Sequence, residues 1–205
     1  MSHKRLPVAG DPEVEPRPNE DFEKRVKAEK RRRYWETRSQ GLMPQQQARL
    51  AQIADDLENP SVLAALDVIA WAEGAAPYDA LFGYTPSPDG QRWRFTDTSK
   101  HPGFVGAKFQ GKTISAAGRY QINDATYRDM SNLIGLDDFS PTTQDAMAVA
   151  KMRYRSDALT PLLQGDVDTF LEHASQAWAS SQERKRPCPR TGRRALRRAE
   201  RQTPR

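Results

Sequence analysis

Cysteine and histidine are scarce in this chain of 205 residues, which contains one cysteine, Cys188, and three histidines. A single cysteine cannot form an internal disulfide, so the fold must depend on packing alone, as suits synthesis in a reducing cytosol. The histidines at positions 3, 101 and 173 lie far apart in the sequence, without the spacing of metal ligands. We therefore expect no metal and no cofactor.

Long apolar segments are also missing. The longest, residues 62–72, is interrupted by Asp67 and is too short to span a bilayer. The charged residues near the start, Lys4 and Arg5, are not followed by the apolar stretch of a secretory signal. We expect a protein that is made in the cytoplasm without a signal peptide and needs help to leave the cell.

The net charge of +5 is distributed unevenly along the chain. Residues 1–45 carry a formal charge of +3, residues 46–182 carry −6, and residues 183–205 carry +8. Only 37% of the residues are apolar and the mean hydropathy is −0.85, so the whole length is not expected to be packed. The basic end could contact an anionic polymer or a membrane, or could be a solvated disordered tail.

The composition predicts four regions. They are a charged N-terminal extension that is largely disordered or helical (1–45), a linker helix (46–60), a globular domain (61–182) and a basic disordered tail (183–205). The globular part is long enough for a real hydrophobic core.

Within the globular part the pattern is mainly helical. A start signal at Asn59-Pro60-Ser61 opens the first helix, and a region rich in proline and glycine at residues 75–112 predicts a long loop with a small hairpin, for example around residues 91–95. Helical patterns then return at about 117–134, 140–155, 158–163 and 166–180. The predicted fold class is mainly α, with a small β-hairpin.

Glu73 is the most informative residue. At about 100° per residue it falls on the same helical stripe as Val62, Leu66 and Ile69, and Gly74 follows as a natural end of the helix. A carboxyl group on a buried stripe, at the negative end of the helix dipole, is expected to have a raised pKa. A glycosidase general acid needs such a group. A partly exposed glutamate that closes a helix is the alternative interpretation.

The segment at residues 116–123 combines a glycine with hydrogen-bonding and aromatic side chains just before a helix. Tyr120 could stack on a sugar face, while Gln121 and Asn123 could bind hydroxyl and acetamide groups. A turn glycine followed by a structural tyrosine is the alternative.

Several short motifs give the chain a family resemblance. It is similar to the phage lambda-type endolysins, which are lytic transglycosylases with a lysozyme fold, over about residues 62–181. The matching pieces, in order, are Ala70-Trp71-Ala72-Glu73-Gly74, Tyr78-Asp79, Phe95-Thr96-Asp97, His101-Pro102, Ala117-Gly118-Arg119-Tyr120-Gln121, residues 136–140, Gln144-Asp145-Ala146, Gly165-Asp166 and Trp178-Ala179-Ser180. The family continues with a cleft segment and a final helix, where this chain has its Arg-rich tail.

The resemblance implies a helical lobe and a small β-hairpin lobe that enclose a cleft. It implies that Glu73 is the catalytic acid and that Tyr120 and Gln121 lie on the cleft wall. We also expect Arg119, Asn123, Asp97 and His101 to contact the substrate, although a loop-fixing role for His101 is the simpler interpretation. The implied substrate is the glycan strand of peptidoglycan, cleaved between N-acetylmuramic acid (MurNAc) and N-acetylglucosamine (GlcNAc).

The implied reaction is a transglycosylation that leaves 1,6-anhydro-MurNAc ends. A hydrolase would instead need a second carboxylate, for which Asp97 and Asp124 are the candidates, although a turn or helix cap is the commoner role of each.

Three functional hypotheses remain at this level. The first is a monomeric endolysin that is made in the host cytoplasm and reaches the cell wall through a separate membrane pore. The second is a virion-associated version anchored by the N-terminal helices. The third is an inactive wall- or particle-binding module.

Overall fold

The computed structural model describes residues 20–74, 77–82, 93–103, 108–109 and 112–178. The chain divides into two compact units, Met1–Tyr34 and Trp35–Arg205, and helix α1 (Glu20–Ser39) runs through the boundary. In the first unit Glu29 pairs with Arg32 and Arg33, at N–O distances of 2.9 and 2.8 Å. The leader predicted at residues 1–18 and the basic tail predicted at 183–205 lie outside the described residues.

The second unit is mainly helical, as the sequence predicts. Its helices are α2 (Pro44–Asp56), α3 (Pro60–Ala72), α4 (Asp124–Ile134), α5 (Pro141–Tyr154), α6 (Leu159–Leu163) and α7 (Val167–Trp178). No helix in the described ranges is both long and apolar enough to cross a membrane.

Side-chain caps fix where three of these helices begin. The side chains of Asn59, Asn123 and Ser140 accept hydrogen bonds from backbone N–H groups in the first turns of α3, α4 and α5. Pro60 and Pro141 occupy first helical positions, where a missing N–H group has no cost. The helix predicted from residue 117 therefore begins later, at Asp124, because the preceding residues form a turn.

Helix α5 is the centre of the core. It packs against α2, α3, α4, α6 and α7, and its middle is buried on every side. The buried residues of α5 include Ala146, Met147, Ala148, Val149, Ala150 and Met152. Small and flexible side chains at these positions let five helices approach one another closely.

The packed core also includes residues that precede the predicted domain start at 61. Trp35, Leu50, Ile53 and Leu57 are buried in the same cluster as the residues of α3 and α5. Helix α2, which the sequence predicts as a linker helix, thus packs into the core, because its apolar side chains contact α4 and α5.

Strand structure is sparse in the described ranges. Strands β1 (Lys108–Phe109) and β2 (Lys112–Thr113) form one antiparallel pair. Near the predicted 91–95 strand, Arg94 forms only an isolated bridge with Ala80. A separate β-hairpin lobe therefore stays a prediction.

Candidate active site

Glu73 closes α3 as its C-cap residue. Its N–H group donates to the carbonyl of Ile69 at 2.9 Å, and Gly74 follows with a positive φ of 70° that turns the chain away. Only 7% of Glu73 is exposed, so the residue is buried, as the helical spacing predicts. Its carboxyl group is removed from bulk water at the negative end of the α3 dipole.

Lys151, in the last turn of α5, is a charged group whose pKa is influenced by Glu73. Burial lowers the pKa of Lys151, and the negative charge of Glu73 works against that decrease. The Lys151 ammonium nitrogen lies 4.4 Å from the ring centroid of Trp178, at the end of α7. The Trp178 indole N–H donates to the carbonyl of Tyr120 at 3.0 Å. These contacts link the end of α5 and the end of α7 to the turn that carries Tyr120.

That turn spans residues 117–122 and is held in a constrained conformation. Ala117 and Ile122 form a bridge at its base, and Gly118 and Gln121 have φ values of 75° and 47°. A Cβ atom added to Gly118 would lie 2.1 Å from Oε1 of Gln144, so a side chain has no room there. The positive φ at Gln121 is uncommon for a residue other than glycine, and such conformations are concentrated at functional sites.

Gln144 fastens the turn to α5. Its side chain is fully buried. The Oε1 atom accepts a hydrogen bond from the Arg119 N–H group at 2.9 Å. The Nε2 atom donates to the carbonyl of Tyr78 at 3.0 Å and to that of Phe139 at 2.9 Å. One amide group therefore joins three separate segments of the chain.

Asp145, the next residue of α5, accepts two tyrosine hydroxyl groups. The Tyr120 hydroxyl lies 2.6 Å from Oδ1, and the Tyr78 hydroxyl lies 2.9 Å from the same atom. Burial raises the pKa of Asp145, and the two hydrogen bonds work against that increase. Burial and the nearby carboxylate raise the pKa of Tyr78 to about 12 and that of Tyr120 still further. Both phenols therefore stay protonated and act as donors.

The structure places the predicted site residues in two groups. Arg119, Tyr120 and Gln121 share the turn at residues 117–122, which contacts α3 through the Arg119–Asp67 pair. Tyr120 and Gln121 are only 1% and 6% exposed. The Gln121 amide donates to the Gly118 carbonyl at 2.8 Å. These contacts hold the turn from inside. Arg119 is half-buried, pairs with Asp67 at 2.7 Å and lies over the Tyr78 ring.

The second group has contacts typical of loop and helix ends. Asn123 caps α4, and exposed Asp97 accepts from the Ser99 N–H group at 2.8 Å. His101 is buried, its Nδ1 accepts from the Gly103 N–H group, and its Nε2 therefore donates to the Ile122 carbonyl at 2.8 Å. Burial lowers the pKa of His101. Substrate contact by these three residues stays a prediction.

Sequence reasoning gave no role to Gln144 and Asp145 beyond the motif, and none to Lys151. All three are polar or charged residues that flank the apolar stretch of α5 at residues 146–150. Polar groups at core positions are the signal that could have found them, because such groups are retained only where they have partners.

Three comparisons agree with this architecture. A model of the Endolysin family matches residues 63–187. The endolysin of Escherichia phage lambda is 33% identical over 118 residues, which cover 56% of this chain and 73% of the relative, and that of Escherichia phage P2 is 33% identical over 130 residues, which cover 58% and 78%.

Solved structures give the same result. Bacteriophage lambda lysozyme complexed with a chitohexasaccharide aligns with a TM-score of 0.51 and 27% identity, over 70% of this chain and 94% of that chain. A further structure of lysozyme from bacteriophage lambda aligns with the same TM-score and identity over 69% and 92%. The motifs, the helical core and these matches agree, and the chain belongs to the Endolysin family, in its phage lambda type.

Proposed function

We propose that this chain is a muralytic enzyme that cleaves the β-1,4 bond between MurNAc and GlcNAc in peptidoglycan, with Glu73 as its acid. The observation that supports this most strongly is the burial of Glu73 at the end of α3, the helix whose Asp67 pairs with Arg119 of the turn at residues 117–122. The similarity to a lysozyme structure that contains a chitohexasaccharide supports a glycan substrate.

Burial gives Glu73 the property that the reaction requires. Removal from water and the negative end of a helix dipole both disfavour a charged carboxylate, so the group holds a proton that it can deliver to a leaving sugar oxygen. Delivery breaks the bond between C1 of the muramoyl sugar and the bridging oxygen, and the proton stays on that oxygen.

The reaction is completed within the substrate as a transglycosylation. The C6 hydroxyl oxygen of the muramoyl sugar bonds to C1 and closes a 1,6-anhydro ring, while its proton passes to the Glu73 carboxylate. No water is consumed, and Glu73 regains the proton that it gave. One carboxyl group therefore serves both halves of the reaction.

The partners of Asp97 and Asp124 support this route over hydrolysis. Asp97 is exposed and accepts from the Ser99 N–H group, while Asp124 begins α4 and pairs with Arg128 at 2.9 Å. Each carboxylate thus has the turn or helix-end role that is common for aspartate at such positions.

For glycan binding we assign different parts to the predicted residues. Arg119, Asn123 and Asp97 are at least partly exposed and offer hydrogen-bonding groups to sugar hydroxyls. Tyr120, Gln121 and His101 are buried and shape the wall from behind. We also propose that the enzyme is a monomer that is made in the host cytoplasm and reaches the wall through a separate pore.

The test is a comparison of two glutamate-to-glutamine variants on purified peptidoglycan. Glu73→Gln should lose about 10²–10⁴-fold in rate while keeping its thermal unfolding midpoint, because only the ionisable group is removed. Glu172→Gln, an exposed site on α7, is the matched control and should keep full activity. Equal rates in the two variants would end the proposal.

Mass spectrometry of the products separates the possible reactions. Anhydro-MurNAc ends support transglycosylation, whereas reducing MurNAc ends identify a hydrolase that acts on the same bond. Binding without cleavage by the unmodified chain identifies an inactive wall-binding module.

A further inference from the structure

Tyr78 is held at both ends by two adjacent residues of α5. Its carbonyl accepts from the buried Gln144 amide at 3.0 Å, and its hydroxyl donates to the Asp145 carboxylate at 2.9 Å. A hydrogen bond to a charged acceptor is roughly twice as strong as one between neutral groups. Because the main chain and the far end of the side chain are both bonded, the Tyr78 ring has a fixed place and orientation.

The ring of Tyr78 supports the Arg119 side chain. The guanidinium carbon of Arg119 lies 5.3 Å from the Tyr78 ring centroid, and its Nη2 atom donates to Asp67 of α3 at 2.7 Å. A planar guanidinium group over an aromatic face gains a favourable cation–π interaction. Since the ring has a fixed orientation, it also restricts the position of the guanidinium group above it.

Asp145 also holds the residue that follows Arg119. The Tyr120 hydroxyl donates to Oδ1 of Asp145 at 2.6 Å, the same atom that accepts from Tyr78. The rings of Tyr78 and Tyr120 meet edge to face, with their centroids 6.4 Å apart. The carboxylate therefore fixes Arg119 in two ways, through the ring beneath its side chain and through the next residue of its main chain.

The outer end of this network reaches the protein surface. The Arg119 side chain is 21% exposed, and that of Asp67, its partner on α3, is 74% exposed. A guanidinium group carries several N–H donors in one plane, so it can donate to more than one oxygen of a sugar. An arginine that is held in place before a ligand arrives loses little conformational freedom on binding.

We propose that Asp145 is a positioning residue for glycan binding. Through the Tyr78 hydroxyl it holds the ring on which the Arg119 guanidinium group lies, and Arg119 binds oxygens of the sugar chain. This inference rests on the proposed function, in which Arg119 offers hydrogen-bonding groups to the glycan. A contact with a purely structural role changes stability alone, whereas this one also sets the affinity for the substrate.

The experiment is steady-state kinetics on soluble glycan strands prepared from peptidoglycan, with thermal unfolding measured alongside. Tyr78→Phe keeps the ring and removes the hydroxyl that binds Asp145. We expect KM to rise about fivefold while kcat changes by less than about twofold, because binding is lost equally before and during the reaction. Arg119→Met should raise KM about tenfold. The double variant should have the KM of Arg119→Met alone, because the hydroxyl acts through the guanidinium group.

Tyr154→Phe is the matched control. The Tyr154 hydroxyl donates to the Gln52 side chain at 2.9 Å, and the Arg49 guanidinium carbon lies 5.8 Å from its ring centroid, so these contacts have the same form. Tyr154 lies nine residues after Asp145 in α5, which places it on the opposite side of the helix at about 100° per residue. Tyr154→Phe should therefore leave KM unchanged.

The outcomes separate the two proposals. An unchanged KM in folded Tyr78→Phe or in Arg119→Met overturns the role of Asp145, and so does a double variant whose KM is well above that of Arg119→Met. Neither result affects Glu73 as the acid, whereas full activity in Glu73→Gln overturns the proposed function itself. If Tyr78→Phe folds poorly, Asp145→Asn removes the charge at nearly the same size. It should raise KM similarly and add nothing to the effect of Arg119→Met.

Discussion

Replacing Gln144 by leucine tests whether the hydrogen bonds of this side chain hold the turn at residues 117–122 against α5. Leucine is similar in size and apolar, so it fills the space but makes none of the three hydrogen bonds. Those bonds join α5 to the N–H group of Arg119 and to the carbonyls of Tyr78 and Phe139, at 2.9, 3.0 and 2.9 Å.

The expected loss follows from these contacts. Three hydrogen bonds at about 1 kcal/mol each give a decrease of about 3 kcal/mol in the free energy of unfolding. Because the side chain is fully buried, each backbone group left without a partner costs about 1–3 kcal/mol, so about 3 kcal/mol is the smaller value of the expected range. For a unit of this size, the smaller value corresponds to a fall of about 6–12 °C in Tm.

The assay is urea unfolding followed by circular dichroism, with Gln176→Leu as the control. Gln176 is exposed on α7, so its replacement should change the free energy of unfolding by less than about 0.5 kcal/mol. Wall-clearing activity should fall in Gln144→Leu even at low temperature, because Gly118 and Tyr120 lose their support. If both glutamine variants unfold at the same urea concentration, the reasoning is refuted.

Two further predictions concern the described core. Arg153 donates two hydrogen bonds to buried Asp56, at 2.7 and 2.5 Å. Asp56→Asn should therefore lower the free energy of unfolding by about 3 kcal/mol, whereas Asp55→Asn, at an exposed site, should leave it unchanged. Equal urea midpoints for the two variants would contradict this prediction. Because burial lowers the pKa of His101 below 6.5, its contribution to stability is present above about pH 6.5 and is lost as the pH falls. We therefore expect Tm to fall less steeply between pH 7 and 5 in His101→Phe than in the unmodified chain. Parallel curves of Tm against pH for the two proteins would contradict this role of His101.

Local patterns in the sequence were enough to predict much of this fold. The caps at Asn59 and Ser140, each followed by proline, placed the starts of α3 and α5 close to their observed positions. The spacing of Val62, Leu66 and Ile69 predicted the burial of Glu73, because a helix fixes which side chains share a face.

The differences between the sequence predictions and the structure also have physical causes. The helix predicted from residue 117 begins at Asp124 because Gly118 and Gln121 take positive φ values that no helical periodicity reports. The linker helix packs into the core because Leu50 and Ile53 meet partners that are far away in the sequence.

The contacts around the site could not be read from spacing at all. Gln144 is 66 positions from Tyr78, and Trp178 is 58 positions from Tyr120. Such pairs form only when the topology is complete, so the sequence indicated which side chains were unusual without indicating what they contact.

The central position of α5 has a consequence for how this protein can vary. Gln144 and Lys151 are seven residues apart, so they project from nearly the same side of the helix, two turns from each other. Inserting one residue between them would rotate one against the other by about 100°, so Gln144 could no longer hold the turn while Lys151 contacts the Trp178 ring. Surface loops of this protein can therefore change in length over evolution, whereas the length of α5 between these two positions has to stay constant.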